Sequence, residues 1–122
     1  MNPMSKADQE MDRWAKEVKR GAVTLAILAL LKREPAYGYE LVKRLEQKVS
    51  FLQLEQGTVY PLLRRMEKRG LLHSEWDYEI ETRPKKYYAL SDEGRRALEM
   101  MSRTWDVLSR EMNEITTGVG MQ

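Results

Sequence analysis

The chain has 122 residues, with 21 basic against 19 acidic side chains for a formal charge of +2, no cysteine, and a single histidine, His73. That length supports one domain with a modest core, to which a second subunit could add burial. The composition excludes disulfides, thiolate metal sites and imidazole clusters, and the near balance of charge means that affinity for a polyanion must come from local clustering. No cofactor and no metal are expected.

Ser5 is placed to cap a first helix, with Asp8 three residues on, and Met4, Ala7, Met11, Trp14 and Val18 then recur at spacings of three and four as a packing stripe. Gly21 interrupts the pattern, and a break between two helices is expected near it. The apolar run Ala22 to Leu31 superficially resembles the hydrophobic part of a secretory signal. It is too short to cross a bilayer, follows a charged amphipathic lead, and precedes Lys32, Arg33 and Glu34 where small cleavage-site residues would stand. It reads as a helix buried in a cytoplasmic protein with no membrane partner, ending before Pro35. A further helix should begin around Tyr37 to Tyr39, bury Leu41, Val42, Leu45 and Val49, and end before Ser50 to Leu54.

The segment Gly57 to Leu72 is the most telling. Val59, Leu62, Leu63 and Met66 fall at i, i+3, i+4 and i+7, so one side of a short helix is apolar and must face a core. At about 100° per residue, Gly57, Pro61, Arg64 and Lys68 line the opposite side, flanked by Tyr60 and Arg65. Pro61 falls near the start of the helix, where a missing N–H costs little, and Gly70 suits the left-handed residue that closes many helices.

From Leu71 the period changes to two. Leu72, Ser74, Trp76, Tyr78 and Ile80 share one side of a strand, Glu81 to Pro84 supply a turn, and Lys85 to Leu90 return as a second strand rich in tyrosine. Ser91 then caps a last helix that opens with Asp92 and Glu93 at its positive end. In that helix Leu98, Met101, Trp105, Leu108, Met112 and Ile115 alternate at three and four without a break, a heptad seam that points to self-association. Met11 and Val18 of the first stripe would pack with it, giving a helical dimer core about a two-fold axis. Residues 116–122 have no periodic pattern and read as a tail.

Three helices followed by a hairpin, with the third helix basic on its free face, is the order of a winged helix-turn-helix. A second basic cluster at Arg83, Lys85 and Lys86 makes the hairpin a candidate wing. In such proteins the start of the second helix of the motif reaches base edges, and cations elsewhere neutralise phosphate. Thr58, Tyr60 and Arg64 are therefore assigned to base contact, and Arg65, Lys68, Arg83, Lys85 and Lys86 to phosphate. Tyr39 and Gln56 complete the DNA-binding set. Trp105 sits mid-seam where an aliphatic residue is usual, with methionines around it. It reads equally as a packed core tryptophan or as a platform for a small aromatic ligand, with Met101, Leu108 and Trp14 beside it. Trp14 and Trp76 also read as core or interface residues.

No catalytic constellation emerges: there is no nucleophile motif, no phosphate-cradling glycine loop, and His73 stands alone on a strand. The competing reading is a winged-helix module that binds a protein partner without specific DNA binding. Two adjacent elements carrying free cations disfavour it.

Three blocks, Ala36-Tyr37-Gly38-Tyr39-Glu40-Leu41, Gly57-Thr58-Val59-Tyr60-Pro61-Leu62-Leu63 with Glu67 to Leu72, and Arg83-Pro84-Lys85-Lys86-Tyr87-Tyr88-Ala89-Leu90-Ser91-Asp92-Glu93-Gly94, resemble the signature blocks of PadR-like transcriptional regulators in order and spacing. The resemblance covers roughly Gly21 to Ile115. It implies a homodimeric repressor that holds a palindromic operator through the helix of Tyr60 and Arg64 and through the wing, and that a small molecule releases. The single short C-terminal helix resembles the smaller subgroup of that family, in which a tryptophan at the position of Trp105 can stack on flat aromatic compounds. The expected organisation is residues 1–20 as a dimer-packing helix, 21–90 as the winged helix-turn-helix, 91–115 as the dimerisation helix and 116–122 as the tail.

Overall fold

A computed structural model describes residues 4–79 and 84–119. Its elements are α1 (Lys6–Arg33), β1 (Ala36–Tyr37), α2 (Gly38–Lys48), a 3-10 turn (Ser50–Leu52), α3 (Gln56–Lys68), β2 (Leu72–Asp77), β3 (Lys85–Leu90) and α4 (Asp92–Thr116). The fold is mainly helical with a small antiparallel wing, as the order of sequence patterns predicts.

α1 opens with a full capping box: the Ser5 hydroxyl accepts from the Asp8 amide at 3.0 Å, and the Asp8 carboxylate accepts from the Ser5 amide at 3.2 Å. It then runs unbroken for 28 residues through Gly21, which corrects the expected break. A mid-helix glycine costs about 1 kcal/mol relative to alanine. Breaking the helix there would leave up to four carbonyls and four amides without intrahelical partners at the new ends. The helix ends where Pro35 forces Glu34 into an extended conformation.

The sheet has the order β1-β3-β2. β2 and β3 pair from Leu72↔Leu90 to Asp77↔Lys85, the expected hairpin. The two-residue strand β1, pairing Ala36 with Tyr88 and Tyr37 with Tyr87, is not legible in the sequence, because two residues carry no period. β2 is also shorter than the alternating pattern suggests. Asp77 accepts a hydrogen bond from the amide of Glu79, an Asx-type turn that bends the chain off the ladder. Ile80, Glu81 and Arg83 of the expected wing lie outside the described residues.

The core gathers Val23, Ile27, Leu28 and Leu31 of α1, Leu41, Val42 and Leu45 of α2, the whole Val59, Leu62, Leu63 and Met66 stripe of α3, and Leu72, Tyr88 and Leu90 of the sheet. Val49, expected among these, is half-buried at the end of α2. Leu98 is only 5 % exposed and belongs to this same core, so the first member of the heptad seam packs within its own chain and is not free for a partner. Trp14 and Trp76 lie outside the core, each about half exposed.

One junction ties α3, the hairpin and the last helix together. Gly70 takes a left-handed φ of 82° at the end of α3. The Ser91 hydroxyl donates to the Gly70 carbonyl at 2.6 Å and accepts from the Gly94 amide at 3.0 Å, while the Ser91 amide donates to the Leu71 carbonyl at 3.1 Å. A Cβ at Gly94 would collide with that same Leu71 carbonyl. Gly94→Ala should therefore lower unfolding stability by about 1–3 kcal/mol, the range for forced overpacking. Gly21 has open space around it, and Gly21→Ala should raise stability by roughly 0.5–1 kcal/mol. Urea denaturation of both variants checks the pair.

Candidate nucleic-acid interface

Burial of the α3 stripe decides which side chains the helix presents. With Val59, Leu63 and Met66 fully enclosed, Gln56, Gly57, Thr58, Arg64, Arg65 and Lys68 are exposed or nearly so and Tyr60 is half-buried. Arg65 and Lys68 in the last turn also complement the negative end of the helix dipole.

The exposed face divides into two flanks. Tyr60 and Arg64 look toward the wing and share a concave basin with Tyr37, Tyr39, Trp76 and Lys85. Thr58 and Arg65 look the other way, toward α1. The expected base-contact residues therefore do not form one cluster: the structure brings Tyr60 and Arg64 together and sets Thr58 across the helix from them. Gly38 permits this packing, because a Cβ there would strike the Tyr60 ring.

The basin is built around Tyr37, a residue that sequence periodicity does not single out. The Tyr37 hydroxyl donates to Asp77 at 2.5 Å, joining β1 to the end of β2 across 40 residues of chain. That bond, with burial and the charge of Asp77, pushes the Tyr37 hydroxyl up to about 12, and the same bond holds the Asp77 carboxyl below the ordinary carboxylate value. The Tyr37 ring lies against Tyr39 at 5.9 Å and Tyr87 at 4.9 Å between centroids. The Lys85 ammonium sits over both Tyr37 and Tyr39, at 5.6 and 5.0 Å, and Lys43 approaches the Tyr39 ring at 5.9 Å. Each such cation–π contact contributes about 0.5–1 kcal/mol when exposed. Lys85 is thus held in place and keeps its charge toward the basin.

Lys86 is placed differently from expectation. Its ammonium pairs with Glu67 at 3.3 Å, with both side chains about a quarter to a third exposed, and it lies 5.3 Å from the Trp76 ring. Ser74 donates a second hydrogen bond to Glu67. Lys86 is a strut between α3 and the wing, with its charge compensated, and not a free cation. The reason is register: Trp76 pairs with Lys86, and Ser74 lies on the same face two residues earlier, so both meet Glu67 at the end of α3. Arg83, the third wing cation, lies outside the described residues.

The second concavity lies between α1, the 3-10 turn and α3, and is lined by Lys16, Lys19, Arg20, Arg65 and Arg69 around Thr58. The α1 cations escape a sequence reading that weighs that helix by its apolar stripe alone. Among the described residues no cluster of histidine and carboxylate side chains could hold a metal ion, and no helix is long and apolar enough to cross a membrane.

The Ser74 bond, followed by the Lys86 contacts, holds the Glu67 carboxyl below its ordinary value against the opposing effect of burial. A depressed folded-state pKa gives stability that is complete above the unfolded carboxylate range and is lost as pH falls through the folded value. Ser74→Ala should therefore destabilise the protein near neutral pH, with the difference from the parent shrinking as pH drops into that window. Urea unfolding at about pH 7 and about pH 3, together with an NMR titration of Glu67, checks the sign.

The architecture has clear relatives. The model of the transcriptional regulator PadR-like family matches residues 27–100. A PadR-family regulator structure from Eggerthella lenta is 39% identical, covering 92% of this chain and 96% of that one with a TM-score of 0.77. A PadR-like regulator structure from Bacillus cereus is 31% identical, covering 84% and 98% with a TM-score of 0.74. A transcriptional regulator of Mycobacterium tuberculosis is 33% identical over 97 residues, 80% of this chain and 88% of the relative. With a winged-helix fold and a family match over most of the chain, this protein belongs to the PadR-like family of transcriptional regulators.

Proposed function

We propose that this regulator is a homodimeric repressor that grips a palindromic operator with two copies of α3 and the wing, and that a small planar aromatic ligand releases it. The observation that carries the dimer is the apolar surface left bare on one chain. Trp105, Leu108, Met112 and Ile115 of α4 are between 45 and 74 % exposed, and Met4, Met11 and Trp14 at and along the start of α1 are about half exposed. A soluble monomer rarely leaves so much apolar surface open on one seam. A second copy, related by a two-fold axis, would cover it with the same residues.

For DNA, the basin side of α3 supports Arg64 and Tyr60 as readers and Lys85 and Tyr39 as backbone contacts, with Gln56 at the tip of the helix. For the ligand, Trp105 stands with Met101 and Leu108 over Gly21 and Leu25 in an open groove of about 280 Å³ between α1 and α4. Trp14 lies about two turns before Gly21 on the same side of α1 and does not line that groove within one chain. Its place beside a ligand would require the partner's helix.

Three measurements test this reading. Equilibrium sedimentation should give a dimer, and charge placed in the seam by Leu108→Glu should shift it to monomer. Arg64→Ala should weaken binding to DNA upstream of the protein's own reading frame by about 1–3 kcal/mol and affect random-sequence duplex less. Planar aromatic compounds should quench tryptophan fluorescence and lose that effect in Trp105→Ala. Unsaturable binding to every duplex at moderate salt would sink the repressor reading, and unchanged quenching in the variant would remove Trp105 from the ligand site.

A further inference from the structure

The groove between α1 and α3 has a composition that folding alone does not ask for. Lys16, Lys19 and Arg20 on α1 face Arg65 and Arg69 at the end of α3, and among the described residues no acidic side chain lines the space between them. Of these five cations only Lys16 forms an ion pair among the described residues, with Asp12 at 3.3 Å on the exposed side of α1. Lys19 is fixed from below: its ammonium donates to the Gln53 side-chain carbonyl at 3.2 Å and lies 5.6 Å from the Phe51 ring. Gln53 presents that carbonyl from a left-handed backbone, φ 48°, at the end of the 3-10 turn. Five cations along one groove repel one another in the free protein, and a polyanion lying along them relieves that repulsion.

The groove is also continuous with the reading helix. Thr58 and Arg65 belong to both, while the wing basin with Arg64 and Lys85 lies on the opposite flank of α3. A duplex seated with its major groove on α3 therefore has the wing beside one phosphate strand and this groove beside the other.

We propose that Lys19 and Arg20 of α1, with Arg69 just past the end of α3, form a second phosphate-binding track, so that the long first helix is part of the DNA interface and extends its footprint on the side away from the wing. The proposal rests on the DNA-binding reading above. It assigns α1 two faces with separate duties: the Met11 and Trp14 side toward the partner, the Lys19 and Arg20 side toward DNA.

The test is the salt dependence of binding to a random-sequence duplex, measured by fluorescence anisotropy with the full-length protein. Each phosphate deprived of its cation should reduce the slope of log K against log salt by roughly 0.9, so Lys19→Gln with Arg20→Gln should lower it by about 2 per protomer. Arg110→Gln on α4, which removes a charge remote from the groove, should leave the slope unchanged. The charge-keeping pair Lys19→Arg with Arg20→Lys should restore it, which separates removal of charge from damage to the fold. A slope for the glutamine pair equal to that of Arg110→Gln overturns the second track while leaving α3 and the wing as readers. Failure of the unsubstituted protein to bind any duplex overturns both.

Discussion

The enclosure of four side chains on α3 governs which of its side chains this protein exposes. Val59, Leu62, Leu63 and Met66 sit at 7 % exposure or less against α1, α2 and the sheet. Full burial of such a side chain is worth about 1.5–3 kcal/mol, so turning the helix by even one residue would forfeit much of the domain's cohesion. The helix is therefore locked about its axis. Arg64 and Tyr60 have no choice but to flank the wing, and Thr58, Arg65 and Arg69 no choice but to flank α1.

That lock is passed on to the rest of the chain by polar junctions at both ends of the wing. Glu67 collects Ser74 and Lys86 at one point, and Ser91 joins the end of α3, the start of β2 and the first turn of α4 at another. The last helix is consequently continuous in hydrogen bonding with the end of α3. The Ser91 hydrogen bonds tie the first turn of α4 to Gly70 and Leu71. α1 is long: at about 1.5 Å per residue its 28 residues span roughly 42 Å, running from the core residues Val23 to Leu31 out to the exposed Met11 and Trp14.

The cations divide by what surrounds them more than by where they fall in the chain. Lys86 is neutralised by Glu67, and Arg44 is paired with Glu34 at 2.7 Å, so both act as braces. Lys85 is positioned by aromatic faces, which orient an ammonium without cancelling its charge. Lys19 is positioned by a neutral amide, with the same result. A net charge of +2 thus conceals two local accumulations of positive charge on either side of one helix.

The sequence by itself determined most element types and the inward faces of α2 and α3. The four-residue stripe of α3, the capping box at Ser5, the alternation from Leu72 and the cap at Ser91 are local patterns, written in periods of 3.6 and two and in side chains that satisfy nearby backbone groups. The helix at Gly21 resisted that kind of reading because propagation is cooperative, and one poor residue does not outweigh two new helix ends. Only the tertiary structure decided the rest. The β1 pairing, the Tyr37 bond to Asp77 across 40 residues, the capture of Lys86 by Glu67 and the convergence of α1 and α3 cations depend on which segments meet in space. Periodicity records which way a side chain points from its own element; it carries no information about what stands opposite, and that opposing group fixes whether a lysine is a brace or a free charge.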